Sequence, residues 1–437
     1  MMIKSLEYIR NRLFWFVDFI KGKKIANYYS DIKLINENYY SQTSKKNRTL
    51  FLNNILTHSI NTTKFYSQLN KESLLKDFPV VDKIIIRDNY EEFFSNKYKN
   101  KINYKVSTSG STGMPFIIDI DKNKKIRNTA DTIYFANKSG FKIGYKLLYI
   151  RFWGDNYNKS RFSFWKQNIM DHNVFNMNDD DIEKLILKLE NDSSNIGVVA
   201  YASALESICI YLDGIKSKPI KTNIKSIILI SESLNAYTMN STKKYFGVTP
   251  LSRYSNSENG IIAQQINGSN DFVINWASYI VEILNLDNDF LVNSGELGRI
   301  VITDLFNYSL PLIRYDTGDL GIMEQLNQNQ APVLTRVEGR KMDMISDTNG
   351  KLVSPYIITD ICVLGGIKQF QLIQEGERSY TFKINASNEF EEKTIIDRYT
   401  DLLGDDSIIT IEYVDEIPLL ESGKRKQVIN LMKNRTK

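Results

Sequence analysis

The sequence predicts a layered α/β fold with a strand-rich later portion, and three observations predict it. Between residues 100 and 260, apolar runs of strand length (Leu147–Trp153, Ile196–Ala200 and Ile224–Ile230) alternate with helical stretches at Asp179–Glu190 and Asn235–Phe246. Such alternation makes a largely parallel sheet between helical layers. From 270 to 336 the strands become shorter and alternating, as at Tyr279–Leu284 and Gly298–Thr303, which suits an antiparallel or barrel-like subdomain. After Arg336, strands at Phe370–Gln374, Tyr380–Ile384 and Ile408–Val414 and a helix at Phe390–Leu403 make a small α+β unit.

Residues 1–100 are expected to be mainly helical. Lys4, Arg10 and Arg12 precede an apolar run, Leu13–Ile20, as in a signal peptide, but Asp18 interrupts that run and no A-x-A-like site follows. An amphipathic helix fits better, packed on the main domain. A peripheral membrane contact through residues 1–20, using Phe14, Trp15, Phe16 and Phe19, is the alternative. Asp82-Lys83 and the charged stretch to Tyr98 form a helix and loop leading to a strand at Ile102–Val106. Ile196–Leu212 is the longest apolar stretch. Ser203 and Glu206 make it a buried strand followed by a helix with a capping box, not a membrane span.

Composition narrows the function. At 437 residues, 42% hydrophobic and 24% charged, the chain suits two or three globular domains. A balance of 56 basic against 51 acidic residues argues against a nucleic-acid partner. Two isolated cysteines, Cys209 and Cys362, fit a reducing compartment, so a cytoplasmic location is expected. With only His58 and His172, a Cys/His zinc site is excluded. The acidic run Asp179–Asp181 is a helix start rather than a metal-binding D-x-D.

The chemistry concentrates in short segments. Ser107, Thr108, Ser109, Gly110, Ser111, Thr112 and Gly113 form an unbroken hydroxyl and glycine run. Its backbone N–H groups and hydroxyls can turn toward phosphate oxygens. It is not a Walker A loop, because no lysine follows Gly113. Four segments follow in order. They are Tyr254-Ser255-Asn256-Ser257-Glu258, Arg314-Tyr-Asp-Thr-Gly-Asp319, Gly339-Arg340-Lys-Met-Asp343 and Ser422-Gly-Lys424-Arg-Lys426. Each alone occurs by chance; taken alone, Glu258 would be a solvated loop carboxylate and Asp319 a turn residue.

Together these segments resemble the adenylate-forming (AMP-producing) ligase superfamily. The likeness is greatest to its phenylacetate-CoA ligase branch and the CapK-like relatives of capsule and O-antigen polysaccharide synthesis. The stretches Gly298–Asp319 and Phe78–Arg87 carry it further, and it covers nearly the whole chain. The resemblance implies a large ATP- and acid-binding domain over 1–338 and a small mobile domain over 339–437. It gives ATP as substrate, with the 107–113 loop, Ser231, Glu232, Tyr254, Ser255, Asn256, Ser257, Asp319 and Arg340 around the nucleotide. Tyr254 would lie near adenine, Glu258 would hold Mg²⁺, and Asp319 would accept the ribose hydroxyls. Lys424 would be the adenylation cation. Met342 departs from the Asp or Lys usual at the hinge.

Trp153, Tyr201 and Tyr237 are candidates for the acid pocket, and Arg314 and Asp304 are placed to pair as a brace. The expected reaction activates a carboxylic acid with ATP and passes the acyl group to an amine, hydroxyl or thiol. Amide formation on a sugar or uronic acid and thioester formation with coenzyme A both remain open. A non-catalytic nucleotide-binding scaffold is the rival from another class; intact Glu258, Asp319 and Lys424 argue against it.

Overall fold

The computed structural model describes residues 2–108, 116–151, 153, 161–175, 177–340, 345–353, 367–386, 391–418 and 426–432. They form two compact units, 1–144 with 253–337, and 145–252 with 338–437.

The first unit opens with three long helices, Met2–Ile20, Lys24–Glu37 and Gln42–Thr62. The Asp18 carboxylate accepts the Ile25 and Ala26 amides, so the residue that breaks the apolar run also starts the second helix. Ser41 caps the third by accepting from the Ser44 amide. A hairpin follows, Asn103–Thr108 with Phe116–Asp121, in register from Asn103↔Asp121 to Thr108↔Phe116. Its second strand ends at Asp121, which caps the helix Lys122–Lys138 through the Asn123 and Lys124 amides.

The rest of this unit is antiparallel, as the shift in pattern after residue 270 predicts. Tyr279–Leu284 pairs with Leu297–Asp304, which pairs with Tyr315–Glu324. A second run joins Leu251–Asn256, Gly260–Gln265, Phe272–Ile274 and Val333–Arg340. The core is built from both kinds of element, with Ile32, Leu56 and Phe135 from helices packed with Ile262, Tyr279 and Ile302 from strands.

A buried ionic network runs through this core. Lys124 Nζ lies 2.6 Å from Asp304 Oδ2, and both side chains are fully buried. Asp304 also accepts the Phe306 and Asn307 amides. Lys124 donates to the Tyr279 hydroxyl at 3.0 Å, and that hydroxyl donates in turn to the Asn259 carbonyl. The expected Arg314–Asp304 brace is therefore not formed. Arg314 pairs with Glu282 at 3.2 Å instead, because Asp304 is already committed to a lysine on the opposite element.

In the second unit, Ile169–Asn173, Lys146–Arg151, Ile196–Tyr201 and Ile224–Ile230 lie side by side, all parallel. Every residue of Ile196–Tyr201 is buried, as expected of a strand covered on both faces. The helices Asp179–Glu190 and Ala236–Phe246 are capped by Asn178 and Asn235. The capping box expected at Ser203–Glu206 does not form. The helix begins at Ala202, Glu232 accepts the Ser203 amide, and Glu206 accepts from Asn235.

The same unit holds a four-stranded mixed sheet in the order Ile408–Tyr413, Ser379–Ala386, Ile367–Gln374, Val428–Asn430. The helix Glu392–Leu403 covers it with Ile395, Tyr399 and Leu403, and the Tyr399 ring meets Phe382 at 4.6 Å.

Candidate functional site

Two stretches distant in sequence meet first. The Val81 amide donates to the Arg314 carbonyl, and the Asp316 amide to the Val81 carbonyl. Arg314 adds a bond from Nη1 to the Phe78 carbonyl at 3.1 Å. Its φ of 47° lies in the left-handed region, a conformation that bulky residues adopt only under strong tertiary constraint. The Phe78–Arg87 stretch is thus tied to the Arg-Tyr-Asp-Thr-Gly-Asp strand. Asp82 then caps a short helix through the Ile84 and Ile85 amides and sets Lys83 at its first position.

Lys83 Nζ reaches Glu258 Oε1 at 3.2 Å. Glu258 lies in the turn between Leu251–Asn256 and Gly260–Gln265, and it is only 1% exposed. Tyr315 donates to the same Oε1 at 2.8 Å. Glu258 Oε2 is buried and has no hydrogen-bond partner among the described residues. An orphaned buried carboxylate oxygen costs free energy unless something binds there. A hard divalent cation that completes its shell with phosphate oxygens and water suits that atom.

The second half of the site is a β-bulge. Arg299 faces Leu320 and Val301 faces Asp316, so residues 317–319 oppose Ile300 alone. Gly318 takes φ 78°, which only glycine adopts freely, and Thr317 donates to the Ile300 carbonyl. Asp319 is re-aimed by this bulge within a continuous strand, where the sequence suggested a turn. Tyr254 donates to Asp319 Oδ2 at 2.8 Å and to Thr317 Oγ1 at 3.2 Å. Burial first, and the charge of Asp319 next, hold the Tyr254 phenol far above its ordinary pKa. Burial and Glu258 do the same for Tyr315. Both hydroxyls therefore stay protonated and serve as donors.

The first unit so brings together Tyr254 and Glu258 of one motif and Asp319 of another, with Ser255, Asn256 and Ser257 on the same strand and turn as the first two. Lys83, Tyr315 and Thr317 join them. None of the three was singled out as a site residue, although each lies inside a stretch that carries the resemblance. The one available signal for Lys83 was its place directly after the N-cap Asp82. Ser107 is exposed on the hairpin strand, and Thr108 ends that strand. Ser109, Gly110, Ser111, Thr112, Gly113 and Lys424 lie outside the described residues, as does Met342.

Other candidates belong to the second unit. Ser231 has φ 71° and follows the strand Ile224–Ile230, and Glu232 beside it caps the helix that starts after Tyr201. Tyr201 is buried in the core of that unit. Trp153 donates to the Tyr149 carbonyl and meets Tyr149 and Phe164 edge-on. Tyr237 donates to Asp213 and packs beside the four-stranded sheet. Arg340 ends the strand Val333–Arg340.

Comparison with known structures defines the fold. The chain has the fold of the adenylate-forming ligases. A 2-hydroxyisobutyryl-CoA ligase, solved in the postadenylation state with R3-HIB-AMP, matches 90% of this chain and 91% of its own at TM-score 0.71 and 15% identity. ATP-bound MatB from Rhodopseudomonas palustris matches 76% of this chain and 66% of its own at TM-score 0.54 and 15% identity. More particularly, residues 344–431 match the CapK C-terminal domain family. Protein CapK of Staphylococcus aureus is 22% identical over 95% of each chain.

Proposed function

We propose that this chain is an ATP-dependent, AMP-forming carboxylate ligase. The observation that carries the reading is the convergence of two motifs far apart in sequence: Tyr254 of the first donates to Asp319 of the second, and Tyr315 of the second donates to Glu258 of the first. A carboxylate beside a protonated phenol can orient a ribose diol, and a buried carboxylate with a free oxygen can face a phosphate-bound cation. Mg²⁺ held by Glu258 would neutralise phosphate charge as it develops.

In the first step the substrate carboxylate attacks the ATP α-phosphorus. The bond to the β-phosphate bridging oxygen breaks, and acyl-adenylate and pyrophosphate result. In the second step an amine, hydroxyl or thiol attacks the acyl carbon, AMP leaves, and the nucleophile loses its proton. Asp319 positions ribose and Glu258 balances charge. Lys424 lies beyond the small-domain boundary near 339 and would neutralise charge between carboxylate and α-phosphate.

The resemblance to capsule and O-antigen relatives, together with the likeness to CapK, supports a role in bacterial surface polysaccharide synthesis, with an amide between a sugar or uronic acid and an amine as product. A second reading is thioester formation with coenzyme A, favoured by the likeness in fold to 2-hydroxyisobutyryl-CoA ligase. Acid-dependent pyrophosphate release across uronic, amino and aryl acids tests the activation step. Release with none of them, at saturating Mg·ATP, would count against the ligase reading. Amine, sugar and coenzyme A acceptors then separate the two products.

A further inference from the structure

The helix Met2–Ile20 has two faces of opposite chemistry. Its inner stripe docks. The Asn11 side chain donates to the Ile143 carbonyl, Trp15 meets Tyr29 edge-on at 6.1 Å, and Asp18 caps the next helix. Glu7 lies on this stripe and is buried. Successive residues advance by about 100° around a helix, so these four positions share one side. The opposite side carries Leu6, Ile9, Leu13, Phe16, Val17 and Ile20, each 39–67% exposed. Six large apolar side chains on a helix already docked by its other face are not left over from the core.

The exposed charges described on this helix and just past its end have one sign. Both acids of the helix, Glu7 and Asp18, are buried. Arg12 is exposed beside the apolar face, and Lys21, Lys23 and Lys24 are exposed just past its end. Lys23 lies over the Phe19 ring. A second copy meeting this face about a twofold axis would oppose cation to cation. An anionic lipid surface supplies both an apolar layer for the six side chains and negative headgroups for the cations. Among the described residues no helix is long and apolar enough to cross a membrane, so the contact would lie in the surface.

We propose that the Met2–Ile20 helix seats this protein on an anionic membrane surface through Leu6, Ile9, Leu13, Phe16, Val17 and Ile20. The aromatic contact expected from sequence is revised accordingly. Phe16 and Phe19 face out, whereas Phe14 and Trp15 are half-buried and pack against each other.

Flotation of the full-length chain with vesicles of about 30% phosphatidylglycerol in phosphatidylcholine tests this, with pure phosphatidylcholine as control. The chain should float with the anionic vesicles. Leu13→Glu/Phe16→Glu should weaken that binding by about tenfold or more, with an unchanged thermal melt because both positions are exposed. Arg12→Glu/Lys23→Glu/Lys24→Glu should weaken it too, and added salt should weaken it further. A Phe16→Trp variant should shift its emission to the blue on anionic vesicles relative to Phe16→Trp in solution. Failure of the full chain to float would overturn the proposal. So would binding that Leu13→Glu/Phe16→Glu leaves intact, or a dimer that this double variant dissolves in sedimentation velocity without affecting flotation.

Discussion

Asp319 shows how one residue's role depends on the backbone that aims it. The Gly318 bulge turns its carboxylate to the Tyr254 hydroxyl, and that hydroxyl stays protonated. Asp319→Ala should raise the KM for ATP and lower kcat/KM by about 10- to 150-fold, the scale of about 1.5–3 kcal/mol for a hydrogen bond to a charged group. Tyr254→Phe should produce a smaller change in the same direction, about 2- to 10-fold, because it removes only the orienting bond. Steady-state kinetics on both variants check this, and equal effects would refute the ordering. The sequence marks Asp319 through its motif, and the structure sets it beside Tyr254. Its bulge was not legible in sequence, since register depends on the facing strand, here Ile300.

At the level of elements, local signals read well and long-range ones did not. The helix Asp179–Glu190 and the strands Ile224–Ile230 and Tyr279–Leu284 fall where periodicity and caps place them. The strand Phe116–Asp121 was missed, because it is recognised by its pairing with Asn103–Thr108. Partners for Arg314 and Asp304 were misassigned for the same reason. A buried ion pair leaves no local period, and the partners are fixed only when the sheet and the Lys122–Lys138 helix come together. Because Lys124 and Asp304 are both fully buried, Lys124→Met should cost about 3–5 kcal/mol by stranding the carboxylate. Urea titration measures it. A loss under about 1 kcal/mol would mean that water or another group replaces the lysine.

For the whole molecule, alkaline pH is the natural probe. Tyr66, Tyr254, Tyr279 and Tyr315 are buried in the first unit, with phenol pKa values raised chiefly by burial. In the unfolded chain each titrates near pH 10. Above that pH the unfolded state holds fewer protons than the folded one, so stability falls as pH rises; below it their contribution is fully present. Each such tyrosine should contribute a slope of about 1.4 kcal/mol per pH unit. Urea midpoints should be insensitive to these groups up to about pH 9.5 and then drop. Their absorbance change should appear only with unfolding, and phenolate absorbance from all tyrosines in the still-folded protein would contradict this.

Whole-molecule function divides differently, since Lys424 belongs to the C-terminal segment matched to CapK. Lys424→Ala should reduce adenylate formation about 10²- to 10³-fold and largely spare acyl transfer from a supplied acyl-adenylate. Equal loss in both half-reactions would refute that assignment.

The Lys124–Asp304 pair also constrains how the sequence can drift. Asp304 holds two backbone amides besides the lysine, whereas Lys124 answers to Asp304 and Tyr279. Position 304 is therefore anchored by the chain itself, and position 124 by its partner. Descendants that lose the lysine first would carry an uncompensated buried charge and be purged. Those that first take Asp304→Asn keep a side-chain oxygen that can still accept the two amides, but they strand the buried Lys124 cation in turn. Either single loss leaves one buried charge unpaired, so the two positions are coupled, and lineages should keep both or replace both.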